Sequence, residues 1–283
     1  MPRIAYVNGA YVPLADAAVH VEDRGYQFAD GVYEVAAYRN GRTIDLAPHL
    51  DRLDRSLKEL RIRAPMSRAA LTHVIRELIR RNRMADGLLY IQVTRGVFRR
   101  DHPFPPDEVP PALVMTVRRL RLATPEVLEQ GVAVITAPEN RWARRDIKSV
   151  SLLPNILAKQ AARERGAYEA WFVDAAGHVT EGSSTNAWIV TKNGELVTRP
   201  TGPDILAGIT RAALLKLAAE QGVRLVERPF TVAEAQSARE AFVSSATSWV
   251  TPVVSIDGKP IGNGAPGSVA HALRAAYEAH AAQ

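Results

Sequence analysis

The sequence predicts a mixed α/β protein, of α+β type, arranged as two domains, a smaller one over 1–120 and a larger one over 121–283. Three observations carry this: short β-prone runs bounded by Asn-Gly or Asp-Gly turns, apolar repeats at helical spacing between them, and one polar linker, Arg118 to Pro125, after a finished strand. Hairpins and helices are interspersed, so a regular βαβ array is not expected. At 283 residues, 47% apolar and 23% charged, the chain can bury a sizeable core.

The first element is a hairpin over Ile4 to Val12, turning at Asn8-Gly9, the dipeptide that best tolerates positive φ. Val32 to Tyr38 reads as a strand. Pro48 opens a helix whose Leu50, Leu53, Leu57 and Leu60 form an apolar seam, which leaves Arg52 and Arg55 off that seam. Ser67 is the expected N-cap of a helix over Ala69 to Arg83. Strands follow at Leu88 to Thr94 and Ala112 to Val117, separated by a loop over 95–111. Past the linker come a short helix at Glu126 to Gln130, a strand at Val132 to Thr136 and a helix around Leu152 to Arg165. Strands are then expected at Glu169 to Val173, Val179 to Glu181, Asn186 to Val190 and Glu195 to Thr198. A helix over Thr210 to Gln221, a strand at Ala241 to Ser245, a hairpin at Asp257-Gly258 and a helix from about Ser268 complete the chain.

The net charge of +6 comes mostly from arginine, with thirty arginines to six lysines, so each lysine is a rare object. The basic residues are scattered without aromatic interleaving, which argues against nucleic acid as a partner, although a basic nucleic-acid-binding protein stays as the remote alternative. With no cysteine there is no disulfide or thiolate site, and no metal is expected. The first residues, Met1-Pro-Arg-Ile-Ala-Tyr-Val-Asn-Gly9, hold no apolar targeting core. No later stretch is apolar enough to span a bilayer, so a cytoplasmic enzyme with no membrane partner is expected.

The chemistry-bearing groups gather at predicted strand and helix ends, where ligand atoms are normally held. Lys148 precedes an apolar helix and follows Arg144 and Arg145, whose positive charge, with partial burial, would favour a free amine able to attack an aldehyde; a solvated helix-start lysine is the plainer alternative. Lys159, in mid-helix, reads as a snorkelling surface residue. Glu181 ends a strand before Gly182, and a carboxylate there could keep a pyridine nitrogen protonated or simply be exposed. Ser183, Ser184 and Thr185 form a hydroxyl-rich turn, either an anion cradle or an ordinary polar turn. Thr210 is the expected cap of its helix, whose first N–H groups, those of Ile209 and Thr210, favour a dianionic phosphate. Arg52 offers a planar fork for phosphate or sits on a solvated face. Ser245 ends a further strand with a hydroxyl. One amine, one carboxylate and several anion-binding ends point to pyridoxal 5'-phosphate.

Taken together, Asp23-Arg-Gly-Tyr-Gln-Phe-Ala-Asp-Gly-Val-Tyr-Glu-Val35, His49-Leu-Asp-Arg-Leu53, Gln92-Val-Thr-Arg-Gly96, Asp146-Ile-Lys-Ser149, Thr180-Glu-Gly-Ser-Ser-Thr-Asn186 and Gly208-Ile-Thr-Arg211 resemble the class IV, or fold type IV, pyridoxal-phosphate aminotransferases, and within them the D-amino acid branch. The resemblance runs from about Ile4 past Ser255. It implies a small N-terminal and a larger C-terminal α/β domain with the cofactor between them. It implies that Lys148 holds the cofactor covalently and acts as the base, that Glu181 pairs with the pyridine nitrogen, and that Leu206 packs on the ring. Arg52, Ile209, Thr210 and the turn groups Ser183, Ser184, Thr185, Ser245 and Ala246 would hold the phosphate. Ala246 stands where the family often has a hydroxyl, so only its backbone could serve. Tyr33, Arg100 and His102 would capture a substrate carboxylate, the last two from a neighbouring subunit, which implies a homodimer. The implied reaction is a ping-pong transfer between an amino acid and a 2-oxo acid. Branched-chain L-amino acid aminotransferase and aminodeoxychorismate lyase are the alternatives on the same scaffold.

Overall fold

The computed structural model describes residues 3–282; residues 1, 2 and 283 of the expected domain ranges lie outside them. The chain divides into two compact units, Met1–Arg121 with Ile147–Ser151, and Leu122–Asp146 with Leu152–Gln283. The five residues that include Lys148 group with the first unit in this division.

The first unit comprises β1 (Ile4–Val7), β2 (Ala10–Pro13), a five-residue helix α1 (Arg24–Phe28), β3 (Gly31–Arg39), β4 (Arg42–Thr43), α2 (Leu46–Glu59), α3 (Arg68–Asn82), β5 (Gly87–Thr94) and β6 (Ala112–Arg119). Its strands form one antiparallel sheet in the order β2-β1-β6-β5-β3-β4. Asn8 and Gly9 take φ of 45° and 102° at the β1–β2 turn, as a tight hairpin requires. Leu50, Leu53 and Leu57 of α2 and Ile75, Leu78 and Ile79 of α3 share one buried core with Leu89, Ile91 and Val93 of β5. Each such side chain stabilises the unit by about 1.5–3 kcal/mol relative to exposure. Ser67 caps α3 as expected, its Oγ accepting the N–H of Ala70 at 3.3 Å.

Because β4 is only two residues long and pairs with Tyr38 and Arg39, the N-terminal part of β3 keeps an open edge. The returning segment fills it: Tyr33 N donates to the carbonyl of Lys148 at 3.0 Å and Val150 N to that of Gly31 at 3.0 Å. Ile147 joins the core of this unit.

The second unit holds α4 (Pro125–Gln130), β7 (Val132–Pro138), α5 (Leu153–Glu164), β8 (Glu169–Val173), β9 (Val179–Gly182), β10 (Asn186–Val190), β11 (Leu196–Thr198), α6 (Ile209–Glu220), β12 (Leu225–Glu227), α7 (Val232–Gln236), β13 (Glu240–Ser245), β14 (Trp249–Ile256), β15 (Lys259–Pro260) and α8 (Ser268–His280). A nine-stranded sheet runs β12-β11-β10-β13-β14-β7-β8-β9, with β15 on β14. It is mixed, with parallel pairs β11–β12, β14–β7 and β7–β8. Central strands such as β10 are buried on every residue, which explains their unbroken apolar runs. Among the described residues no helix is long and apolar enough to cross a membrane.

Two short helices, α1 and α7, and the strand β12 show no hydrophobic period in the sequence. Five residues are too few for an apolar period, and each of these helices is set by a cap, Asp23 or Thr231, accepting a backbone N–H.

Candidate active site

In the first unit the alternation of β3 sends neighbours to opposite faces. Glu34 goes inward, wholly buried under α2, and Tyr33 goes to the other face. Lys148, placed by the hydrogen bond from Tyr33 N, lays its Nζ 4.3 Å from the centroid of the Tyr33 ring. The amine is half-buried and makes no hydrogen bond or ion pair among the described residues. Arg144 and Arg145, expected to act on it by their charge, are instead matched by carboxylates. Arg144 pairs with Asp146 at 3.0 Å and Arg145 with Asp204 at 2.7 Å.

Arg52, off the leucine seam as expected, does not sit on a solvated face. It is buried, and its Nε and Nη2 donate to the two oxygens of Glu34, each at 2.8 Å, while His49 Nδ1 stands 2.7 Å from Glu34 Oε2. Burial would raise the Glu34 carboxyl, but the charge and hydrogen bonds of Arg52, helped by His49, outweigh it and hold it at about 2. A buried pair of this kind orients the guanidinium closely.

Arg100 and His102 lie exposed on the loop between β5 and β6. Arg100 stacks on the ring of Phe28, 4.6 Å from its centroid, and the His102 ring lies 5.5 Å from it. No hydrogen bond or ring contact joins either to Tyr33 among the described residues, whose ring meets Tyr90 at 5.8 Å.

In the second unit, Glu181 at the end of β9 is buried and accepts Arg141 Nη1 at 2.7 Å, Asn186 Nδ2 at 3.2 Å and the N–H of Leu206 at 3.1 Å. Leu206 thereby enters the site through its backbone, its carbonyl accepting Asn186 Nδ2 at 3.1 Å. Arg141 also grips Glu139 through Nε and Nη2 at 2.9 and 2.6 Å. Burial opposes the charge of Arg141, but Glu139 and Glu181 more than compensate and raise its pKa.

Ser183, Ser184 and Thr185 do not stand as a free hydroxyl cradle. All three hydroxyls donate to the wholly buried carboxylate of Glu169, Ser184 at 2.9 Å and Thr185 at 3.2 Å. A hydroxyl has one proton, so each donor is committed there. Lys159 Nζ lies 3.5 Å from the same carboxylate and donates to the carbonyl of Tyr168 at 2.5 Å, a tied position rather than a snorkelling one.

Thr210 is not the cap of α6. The cap is Gly208, two residues earlier, and Thr210 Oγ1 meets Tyr277 Oη at 3.4 Å. A Cβ on residue 208 would come within 2.0 Å of Asn186 Oδ1, which is why glycine occupies the cap and why no side chain there accepts a helix N–H. The N–H groups of Ile209 and Thr210 consequently meet no acceptor among the described residues. The same holds for Ala246, in a turn where Ser245 Oγ accepts the N–H groups of Thr247 and Ser248 at 3.3 and 3.2 Å.

Within the second unit, the buried carboxylate of Glu181, held by three donors, and the uncapped start of α6 have the chemistry to receive a pyridine nitrogen and a phosphate, and within the first unit the amine of Lys148 has that to receive an aldehyde, the three groups of pyridoxal 5'-phosphate. Arg141, Asn186 and Glu169 were missed as participants in the sequence. The only signal for Arg141 is its position after β7, and thirty arginines dilute it.

Residues 31–256 match the model of the family Amino-transferase class IV. The chain is 41% identical to D-alanine aminotransferase of Bacillus licheniformis over 96% of this chain and 94% of that one. It is 39% identical to D-alanine aminotransferase of Staphylococcus aureus (strain MSSA476) over 96% of each. Among solved structures, the T.th. branched-chain amino acid aminotransferase with pyridoxamine 5'-phosphate superposes with a TM-score of 0.90 at 27% identity, covering 100% of this chain and 95% of that one.

Proposed function

This chain belongs to the class IV aminotransferase family, and from that membership we propose that it moves an amino group between a D-amino acid, such as D-alanine or D-glutamate, and a 2-oxo acid. The reading of D-amino acids over branched-chain L-amino acids is supported by the deeper sequence likeness to the D-alanine aminotransferases and by the presence of Tyr33, Arg100 and His102. The observation that carries it is the half-buried, unpaired amine of Lys148 beside Tyr33.

Pyridoxal 5'-phosphate, the cofactor of this chemistry, supplies an aldehyde and a ring that takes up negative charge from the substrate α-carbon. Lys148 would hold it covalently, Glu181 would meet its ring nitrogen, and Leu206 would pack on the ring. Ile209, Thr210 and Ala246 would offer N–H groups to its phosphate, with Arg52 supplying positive charge and Ser183, Ser184, Thr185 and Ser245 shaping the adjoining turns.

Lys148 Nζ accepts the α-proton of the substrate as general base and later returns a proton. Tyr33 restricts that amine to one face by lying under it. Arg141 and Asn186 keep Glu181 in place by donating to both of its oxygens. Arg100 and His102, exposed on their loop, receive the substrate α-carboxylate, in our reading on a second copy of the chain. The enzyme is thus a homodimer, and we place it in the cytoplasm.

A coupled assay of both enantiomers of alanine and glutamate, with pyruvate or 2-oxoglutarate as acceptor, tests this. Turnover of the D-enantiomers is expected. Preferential use of L-amino acids favours the branched-chain reading, and pyruvate released from aminodeoxychorismate without an acceptor favours the lyase. Lys148→Ala is expected to abolish transamination; a fully active variant would reject the assignment.

A further inference from the structure

We infer that Arg24 is a positioning residue for substrate recognition, acting by holding the loop that presents Arg100 and His102; this rests on the reading that those two residues bind the α-carboxylate. Arg24 is the first residue of α1 and is buried, with 3% of its surface exposed, in a segment that is otherwise largely at the surface.

Each of the three nitrogens of its guanidinium donates a hydrogen bond. Nε donates to Asp30 Oδ2 at 2.9 Å, Nη1 to the carbonyl of Asp101 at 2.6 Å and Nη2 to the carbonyl of His102 at 3.3 Å. Asp30 is itself immobilised from the other side by Arg95, at 2.7 and 2.9 Å. Arg95 in turn donates to the carbonyls of Leu60 and Arg61, just past the end of α2. The loop is therefore tied through Arg24 and Asp30 to a packed helix end. Phe28, one turn along α1, completes the seat: the guanidinium groups of Arg24 and Arg100 lie 4.8 and 4.6 Å from its centroid, and His102 leans on the same ring.

Two successive carbonyls gripped by one rigid fork fix the backbone from which His102 springs and on which Arg100 borders. An exposed loop without that grip would spread both side chains over many arrangements, and their ordering would then weaken substrate binding. A lysine cannot replace the fork, because its donors radiate from one nitrogen. Removing Arg24 does not orphan Asp30, since Arg95 still pairs with it.

The test uses the holoenzyme and D-alanine. Arg24→Lys is expected to raise KM about tenfold with kcat changed by less than about twofold, while the cofactor absorbance spectrum is unaltered. Adding Arg24→Lys to an enzyme that already carries Arg100→Ala and His102→Ala is expected to raise KM no further, because Arg24 acts through those two side chains. Phe28→Leu, run through the same cycle, is expected to act in the same direction, and it carries the test if Arg24→Lys fails to fold. An unchanged KM in either folded variant, while Arg100→Ala raises it, overturns the inference, as does a further rise in KM when either is added to the enzyme lacking both the Arg100 and His102 side chains. An Arg100→Ala enzyme with unchanged KM instead removes the carboxylate reading, and this inference with it.

Discussion

Glu34 shows how a single buried charge makes stability depend on pH. Its carboxyl sits at about 2 in the folded chain, against an ordinary value of 4.5, because Arg52 and His49 overcome the burial that would raise it. A carboxyl lowered by folding contributes stability that is whole above 4.5 and drains away as pH falls toward 2. The shift corresponds to about 3 kcal/mol. Glu34→Gln should flatten the acid limb of stability between those values, and it should also cost about 3–5 kcal/mol at neutral pH by breaking the buried ion pair with Arg52. Urea unfolding across about pH 7 to pH 3 measures both effects. An acid limb as steep as the wild type's would mean that other carboxyls set it.

At the scale of the element, α6 is the helix whose beginning matters most. Its cap is glycine because Asn186 Oδ1 occupies the space a Cβ would need, and Asn186 is in turn bonded to Glu181 and to the carbonyl of Leu206. Gly208→Ala must push Asn186 aside, so it disturbs the carboxylate and the helix start together. Retention of pyridoxal 5'-phosphate, read by absorbance titration, should weaken about tenfold or more, with the far-ultraviolet circular dichroism unchanged. By contrast Ser67→Ala, at the start of α3, removes a simple cap and should cost about 1 kcal/mol of stability without touching cofactor retention. The pair separates a helix start that only folds from one proposed also to bind.

At the scale of the molecule, all four tryptophans, Trp142, Trp171, Trp188 and Trp249, belong to the second unit. Tryptophan emission therefore reports the unfolding of that unit alone. A ligand that binds only the folded state stabilises it by about 2.7 kcal/mol at about a hundred times its Kd. Added pyridoxal 5'-phosphate should accordingly raise the emission-detected midpoint of the wild type in proportion to the logarithm of its concentration, and should do so much less for Lys148→Ala. Equal shifts in the two proteins would place the main binding energy away from the amine. The expected homodimer is checked by light scattering on the eluted protein.

Elements with a local signature were legible from the chain: the Asn8-Gly9 hairpin, the leucine seam of α2, the Ser67 cap and the buried run of β10 each state their period or turn within a few residues. The groups that bear chemistry, such as Lys148 and Glu181, could be singled out by residue type, rarity and resemblance. Their partners could not. Arg141 meets Glu181 from forty residues away, Arg24 reaches carbonyls seventy-seven and seventy-eight residues on, and the three hydroxyls after Gly182 turn to Glu169 rather than outward. Nearest-neighbour sterics and hydrophobic periodicity are written along the chain and survive without the fold. The choice of which carboxylate satisfies which of thirty arginines is made only when sheets pack and desolvate them, because an unpaired buried charge is too costly to leave.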